Sequence, residues 1–221
     1  MDRNKEAIKL IKNKDYEAAA KVLNDIIETH PHEAIGYINF GNLLLQMNDN
    51  ERAQAFFHRA IELEPQAATA FYGLGNAYYE QESFQEAQKY YQQAIEHGLE
   101  DSDVYFLLGL TFVHQEHIKL SIPYLLRATE LDKDDEEKWF QYGLALAKIN
   151  HITEAKEIFH TVLQLNDQHS DAHYNLGVIA IYNQELKEGL RHFESALQRN
   201  PEHILAANGK ARVEEWLETN E

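Results

Sequence analysis

The chain has no cysteine, four prolines and two methionines in 221 residues, and it is poor in basic side chains, with 20 against 37 acidic ones. Without cysteine there is no disulfide, no zinc knuckle and no thiol nucleophile. A formal charge of −17 repels phosphate backbones and anionic bilayers, which sets nucleic acid and membrane aside as main partners and favours a neutral to basic protein or peptide. No apolar run approaches the roughly 20 residues that cross a bilayer. The opening MDRNKEAIKLIKNK interleaves charges with Ile8, Leu10 and Ile11 instead of forming a signal-peptide core, so a cytoplasmic location is expected. No Ser/Gly-rich or Pro-rich tract offers a linker, and one domain is expected over residues 1–221.

The motifs of catalysis are missing too. There is no G-x-S-x-G, no P-loop lysine motif and no H-E-x-x-H. The stretch Phe71 to Tyr79, FYGLGNAYY, holds a Gly-x-Gly pair, but a dinucleotide site needs a third glycine three residues on, where this chain has Tyr78. Twelve histidines include His114 with His117 and His169 with His173, spaced as helical metal ligands can be. In the repeat frame below, His117 falls in a turn and His173 takes an aromatic core position, so a structural use is expected. The reading is of a non-enzyme with no cofactor and no metal.

What the chain has is a ruler. Gly41, Gly75, Gly109, Gly143 and Gly177 each stand 34 residues after the last, within YINFGNLL, FYGLGNAY, YFLLGLTF, WFQYGLAL and HYNLGVIA. Leu23, Phe57, Tyr91, Leu125, Phe159 and Phe193 keep the same period, as do the small residues Ala19, Ala53, Ala87, Ser121, Ala155 and Gly189. Apolar positions recur at i, i+3, i+4 and i+7 within each unit, and polar breaks such as Asn48-Asp49-Asn50 divide it into two amphipathic helices. Each helical glycine costs about 1 kcal/mol relative to alanine. Close approach of the partner helix is expected to offset this, with the small series as the counterpart, while Gly73 is expected only to lower the floor of a groove.

A 34-residue helix-turn-helix with an aromatic residue, Leu-Gly, a later Ala and Phe/Tyr, and prolines 31, 65 and 201 in register at the joints resembles the tetratricopeptide repeat (TPR) over nearly the whole chain, in particular the small stand-alone TPR proteins of Gram-positive bacteria. The resemblance implies an all-α, right-handed superhelical solenoid of six hairpins, at 1–33, 34–67, 68–101, 102–135, 136–169 and 170–203, with a capping helix at 204–219. Two departures stand out: Ala7 replaces the glycine of the first repeat, and Pro123 lies in a second helix, tolerable if that helix starts near Ile118 so that the missing N–H falls in the first turn.

In that family the first helix of every repeat lines a concave groove. The positions matching its groove-facing ones include Asn39, Asn42, Asn76 and Asn175, whose amides can pair with the backbone of an extended peptide, and Tyr72, Tyr79, Phe106, Phe140, Gln141 and Tyr174, which would enclose its side chains. Of the clamp that some TPR domains use for acidic C-terminal tails, Lys5 and Asn39 match, but Lys9, Thr69 and Gly73 do not. Lys5, Lys9 and Lys12 would make one end of the groove positive, and Asp103, Glu137 and Asp171 the later wall negative. The implied function is a protein–protein interaction adaptor holding an extended or helical segment in its groove. The alternative is a scaffold for a folded partner, or self-association through the outer face or the terminal cap around Trp216.

Overall fold

The computed structural model describes residues 3–220. Its helices fall into two compact units, one ending at His117 and the other beginning at Ile118. The first holds α1 (Arg3–Lys12), α2 (Tyr16–Thr29), α3 (Ala34–Gln46), α4 (Asn50–Leu63), α5 (Ala68–Glu80), α6 (Phe84–Glu96) and α7 (Ser102–His114). The second holds α8 (Ile118–Leu131), α9 (Glu136–Lys148), α10 (Ile152–Leu165), α11 (Ser170–Tyr182), α12 (Leu186–Arg199) and α13 (Ile204–Asn220). No strand occurs among the described residues, and none of their helices is long and apolar enough to cross a membrane.

The 34-residue period is set at the turn inside each hairpin. Lys14, Asn48, Glu82, Glu116, Asn150 and Gln184 all take positive φ, between 57° and 66°. In each case the next residue donates its N–H five residues back, as Asp49 does to the carbonyl of Leu44 at 2.9 Å and Ser83 to that of Tyr78 at 2.9 Å. This left-handed close ends one helix. The following residue then starts the second: Asp15 and Asp49 accept the backbone N–H of Ala18 and Arg52 on their carboxylates.

Packing in both units centres on rings seated over glycine. A Cβ added to Gly41 or to Gly73 would stand 2.6 or 2.3 Å from the ring of Phe57, so that ring lies between the glycine of its own hairpin and one from the next. Phe193 sits in the same way between Gly177 and Gly209, and Tyr91 closes on Gly75. The counterpart of the periodic glycines is therefore the aromatic series and not the small one. Gly73 likewise does more than lower a groove floor, since it makes room for Phe57. At Gly189, an added Cβ would meet the side chain of Ile181 and stand 3.2 Å from the Gly177 carbonyl.

Helix α8 does begin at Ile118, yet Pro123 is its sixth residue, beyond the first turn. The carbonyl of Lys119 therefore lacks its i+4 donor, and exposure of Pro123 to solvent is what makes this tolerable. In α9, Lys138 occupies a buried position that is Gly36, Ala70 and Ala172 in other hairpins. Its ammonium is held by Asp135 at 2.8 Å and Asp132 at 3.1 Å. Burial works against the Asp135 carboxylate, but the bonds from Lys138 hold it below the usual range.

Candidate functional site

In the first unit, the first helices of the hairpins bring two adjoining clefts together. One, of about 340 Å³, is walled by Ile11, Lys12, Lys14, Tyr16, Asn42, Leu45, Gln46 and Asn76. The other, of about 370 Å³, shares Leu45, Gln46 and Asn76 and adds Asn48, Tyr79, Glu80, Tyr91 and Leu107. Asn76 stands between them. Its side-chain oxygen accepts the hydroxyl of Tyr91 at 2.9 Å, which orients the amide and leaves its NH2 as the group able to donate. Burial, together with Tyr72, Tyr79 and Glu80, pushes the Tyr91 pKa far up, so the hydroxyl remains a donor. Asn42 is exposed beside it. Tyr79 is half-buried, its hydroxyl 3.0 Å from His114 Nε2, and its pKa too is raised by burial.

Other expected site residues are used by the protein itself. Asn39 is 5% exposed and its NH2 is given to Asn4 Oδ1 at 2.9 Å, so it faces the core. Lys5 and Lys9 are exposed, but Lys9 holds the register of Leu43 and Ala77, both fully buried. Its direction is that of the stacking face, and the lysines that line the cleft are Lys12 and Lys14. Tyr72 and Phe106 are half-buried.

In the second unit, Phe140 is 8% exposed and packs its ring on Phe159 and His169, which places it in the core. Gln141 donates to Glu137 at 2.8 Å and Asn175 to the carbonyl of Asp171 at 2.8 Å. Both amides are thus turned onto their own helices. Asp171 also lies 3.0 Å from His203 Nε2, and His203 Nδ1 accepts the Ala206 N–H. Tyr174 lies tilted against the rings of Phe193 and His203 and lines a larger cleft, about 670 Å³, between α11, α12 and α13.

The histidine pairs serve packing. His114 lies flat on Phe84, centroids 4.4 Å apart, His117 closes its turn through the Phe112 carbonyl, and His169 caps α11. His173 faces His192, Nδ1 to Nδ1, at 3.3 Å. Among the described residues no three His, Asp or Glu side chains converge as a metal site would require.

Reading the groove by family positions missed Lys14, Tyr16 and Tyr91. Lys14 is the left-handed residue of its turn and Tyr16 the first residue of the helix after it. Tyr91 comes from a second helix, and its hydroxyl is the signal that distinguishes it from the phenylalanines of its series.

Family models described as tetratricopeptide repeat match residues 38–87, 72–136 and 170–203. Among solved structures the chain is similar to YrrB, described as a TPR protein with an unusual peptide-binding site, at 40% identity over 86% of this chain and 97% of that one, with a TM-score of 0.81. Pseudomonas aeruginosa pilF, at 15% identity over 95% and 96% of the two chains and a TM-score of 0.79, shares the fold, as does MamA, at 16% over 74% and 96% with 0.69. No curated protein matches the chain.

Proposed function

This chain belongs to the tetratricopeptide-repeat family, with its all-α repeat solenoid, and on that premise we propose that it is a non-catalytic adaptor that holds a segment of a partner protein along the first helices of its first unit. The observation that carries the reading is Asn76, its amide fixed by Tyr91 between two clefts and next to exposed Asn42. Two such amides offer donors and acceptors to an extended backbone whatever its side chains. Tyr79, Leu45 and Leu107 offer apolar walls. The 40% identical relative with a peptide-binding site supports this assignment.

Charge gives the ligand a direction. Lys12 and Lys14 attract a carboxylate at one end of the unit, and Asp103 on α7 a basic residue at the other. Such contacts at a wet rim orient a ligand more than they tighten it. With −17 overall, the segment is neutral to basic on balance and the working site is the cytoplasm.

Binding to an immobilised library of mixed peptides is the test. Asn42→Ala and Asn76→Ala should each weaken capture about tenfold, roughly 1.4 kcal/mol, while Gln141→Ala in the second unit changes nothing. Capture indifferent to both asparagines would refute the reading.

A second reading is a scaffold that contacts a folded partner or another copy through the terminal helix. Half-exposed Trp216 on α13 favours it.

A further inference from the structure

We infer that the chain pairs with a second copy of itself through the groove-side face of α13. This rests on the second reading above and is independent of the peptide clefts in the first unit.

Helix α13 continues the repeat register. Gly209 receives the ring of Phe193 as Gly73 receives that of Phe57. Its stacking face, however, has turned polar. Where α11 buries Leu176 and Ala180, α13 carries Lys210 and Glu214, and Lys210 Nζ lies 3.2 Å from Glu194 and 3.6 Å from Glu214. A further hairpin stacked there would have to bury those ions, at a cost of several kcal/mol per ion.

The groove side has the opposite character. Leu205 is 58% exposed and Trp216 52%, and on α11 Val178 is 42% and Tyr182 64% exposed. Leu205, Trp216 and Val178 line the cleft of about 670 Å³. An apolar surface gathered this way, rimmed by polar groups, marks a contact site.

The charges on the same face select the occupant. Arg212 and Glu215 are both exposed, and neither side chain has a partner among the described residues. A basic segment would leave Arg212 opposed, and an acidic one Glu215. A second copy answers both. A two-fold axis across α13 sets the two helices antiparallel, so that Arg212 of each copy meets Glu215 of the other. Trp216 of each then covers the Arg212 stem and Gly209 of its neighbour. The contact is self-complementary: two reciprocal ion pairs and two aromatic anchors.

Sedimentation velocity from about 1 to 100 µM, a range that brackets ordinary weak dimers, should show the mass rising from one chain to two. Trp216→Ala and Glu215→Arg should each raise the dissociation constant about tenfold or more. The double swap Arg212→Glu with Glu215→Arg should return it to within about threefold of wild type, since the pair is remade with reversed sign. All three positions are exposed, and helicity with thermal melting verifies that each variant folds. Asn42→Ala and Asn76→Ala should leave the dimer unchanged, which separates this result from the fate of the peptide reading. A single-chain mass throughout, a dimer insensitive to these substitutions, or a double swap no better than Glu215→Arg alone would overturn the proposal.

Discussion

His173 and His192 face each other through like nitrogens at 3.3 Å, a contact that needs one imidazole to donate and the other to accept, so it is lost once both are charged. Burial first, then Arg199, His192 and His160, lower the His173 pKa from 6.5 to about 4, against an opposing pull from Asp167. His192 is lowered by burial and by His160, Lys156 and Arg191, while Glu188 works the other way. With the folded value depressed, the unfolded chain binds more protons in this window. Stability is then full above 6.5 and is lost as pH falls from 6.5 towards 4. In thermal melts, His173→Phe, which installs the aromatic that Phe71 provides at the same register, should flatten that slope relative to wild type. An unchanged slope would mean that the histidine pair is not what titrates.

Among the elements, the six left-handed turns do the most with the least suitable residues. Asparagine tolerates positive φ, as at Asn48 and Asn150, but Glu82, Glu116, Gln184 and Lys14 gain nothing from their side chains there. Each carries roughly 1 kcal/mol of avoidable backbone strain. Glu82→Gly and Glu82→Asn should therefore both stabilise the chain by about that amount in urea titrations, whereas Glu82→Ala should not. Equal effects of all three would trace the gain to the removed charge instead of the backbone.

For the molecule as a whole, the net charge of −17 outweighs its ion pairs. Lys21–Glu17 and Arg59–Glu62 are exposed i,i+4 and i,i+3 contacts, which solvent and salt screen to little effect. Self-repulsion acts over the full Debye length, about 30 Å at 0.01 M salt and 3 Å at 1 M. Calorimetry should then show Tm rising with sodium chloride. A falling Tm would assign more weight to the surface pairs than their exposure allows.

The sequence by itself determined the hairpin, its 34-residue period and the family, because a helix that buries one stripe must repeat its apolar residues at fixed spacing, and five glycines kept that spacing without a slip. It also located Asn42 and Asn76, which remain at a cleft. Tertiary structure alone decided which matching residues are available. Asn39 and Phe140 share a register with open positions, yet neighbouring hairpins close over them, and Asn175 and Gln141 bond to their own helices. It decided, too, that rings rather than small residues fill the glycine gaps. A linear pattern states which face a residue is on, but how far a side chain reaches, and what already holds its polar atoms, depends on the folded neighbours, whether one turn back on the same helix as for Gln141 and Asn175 or on another helix as for Asn39 and Phe140.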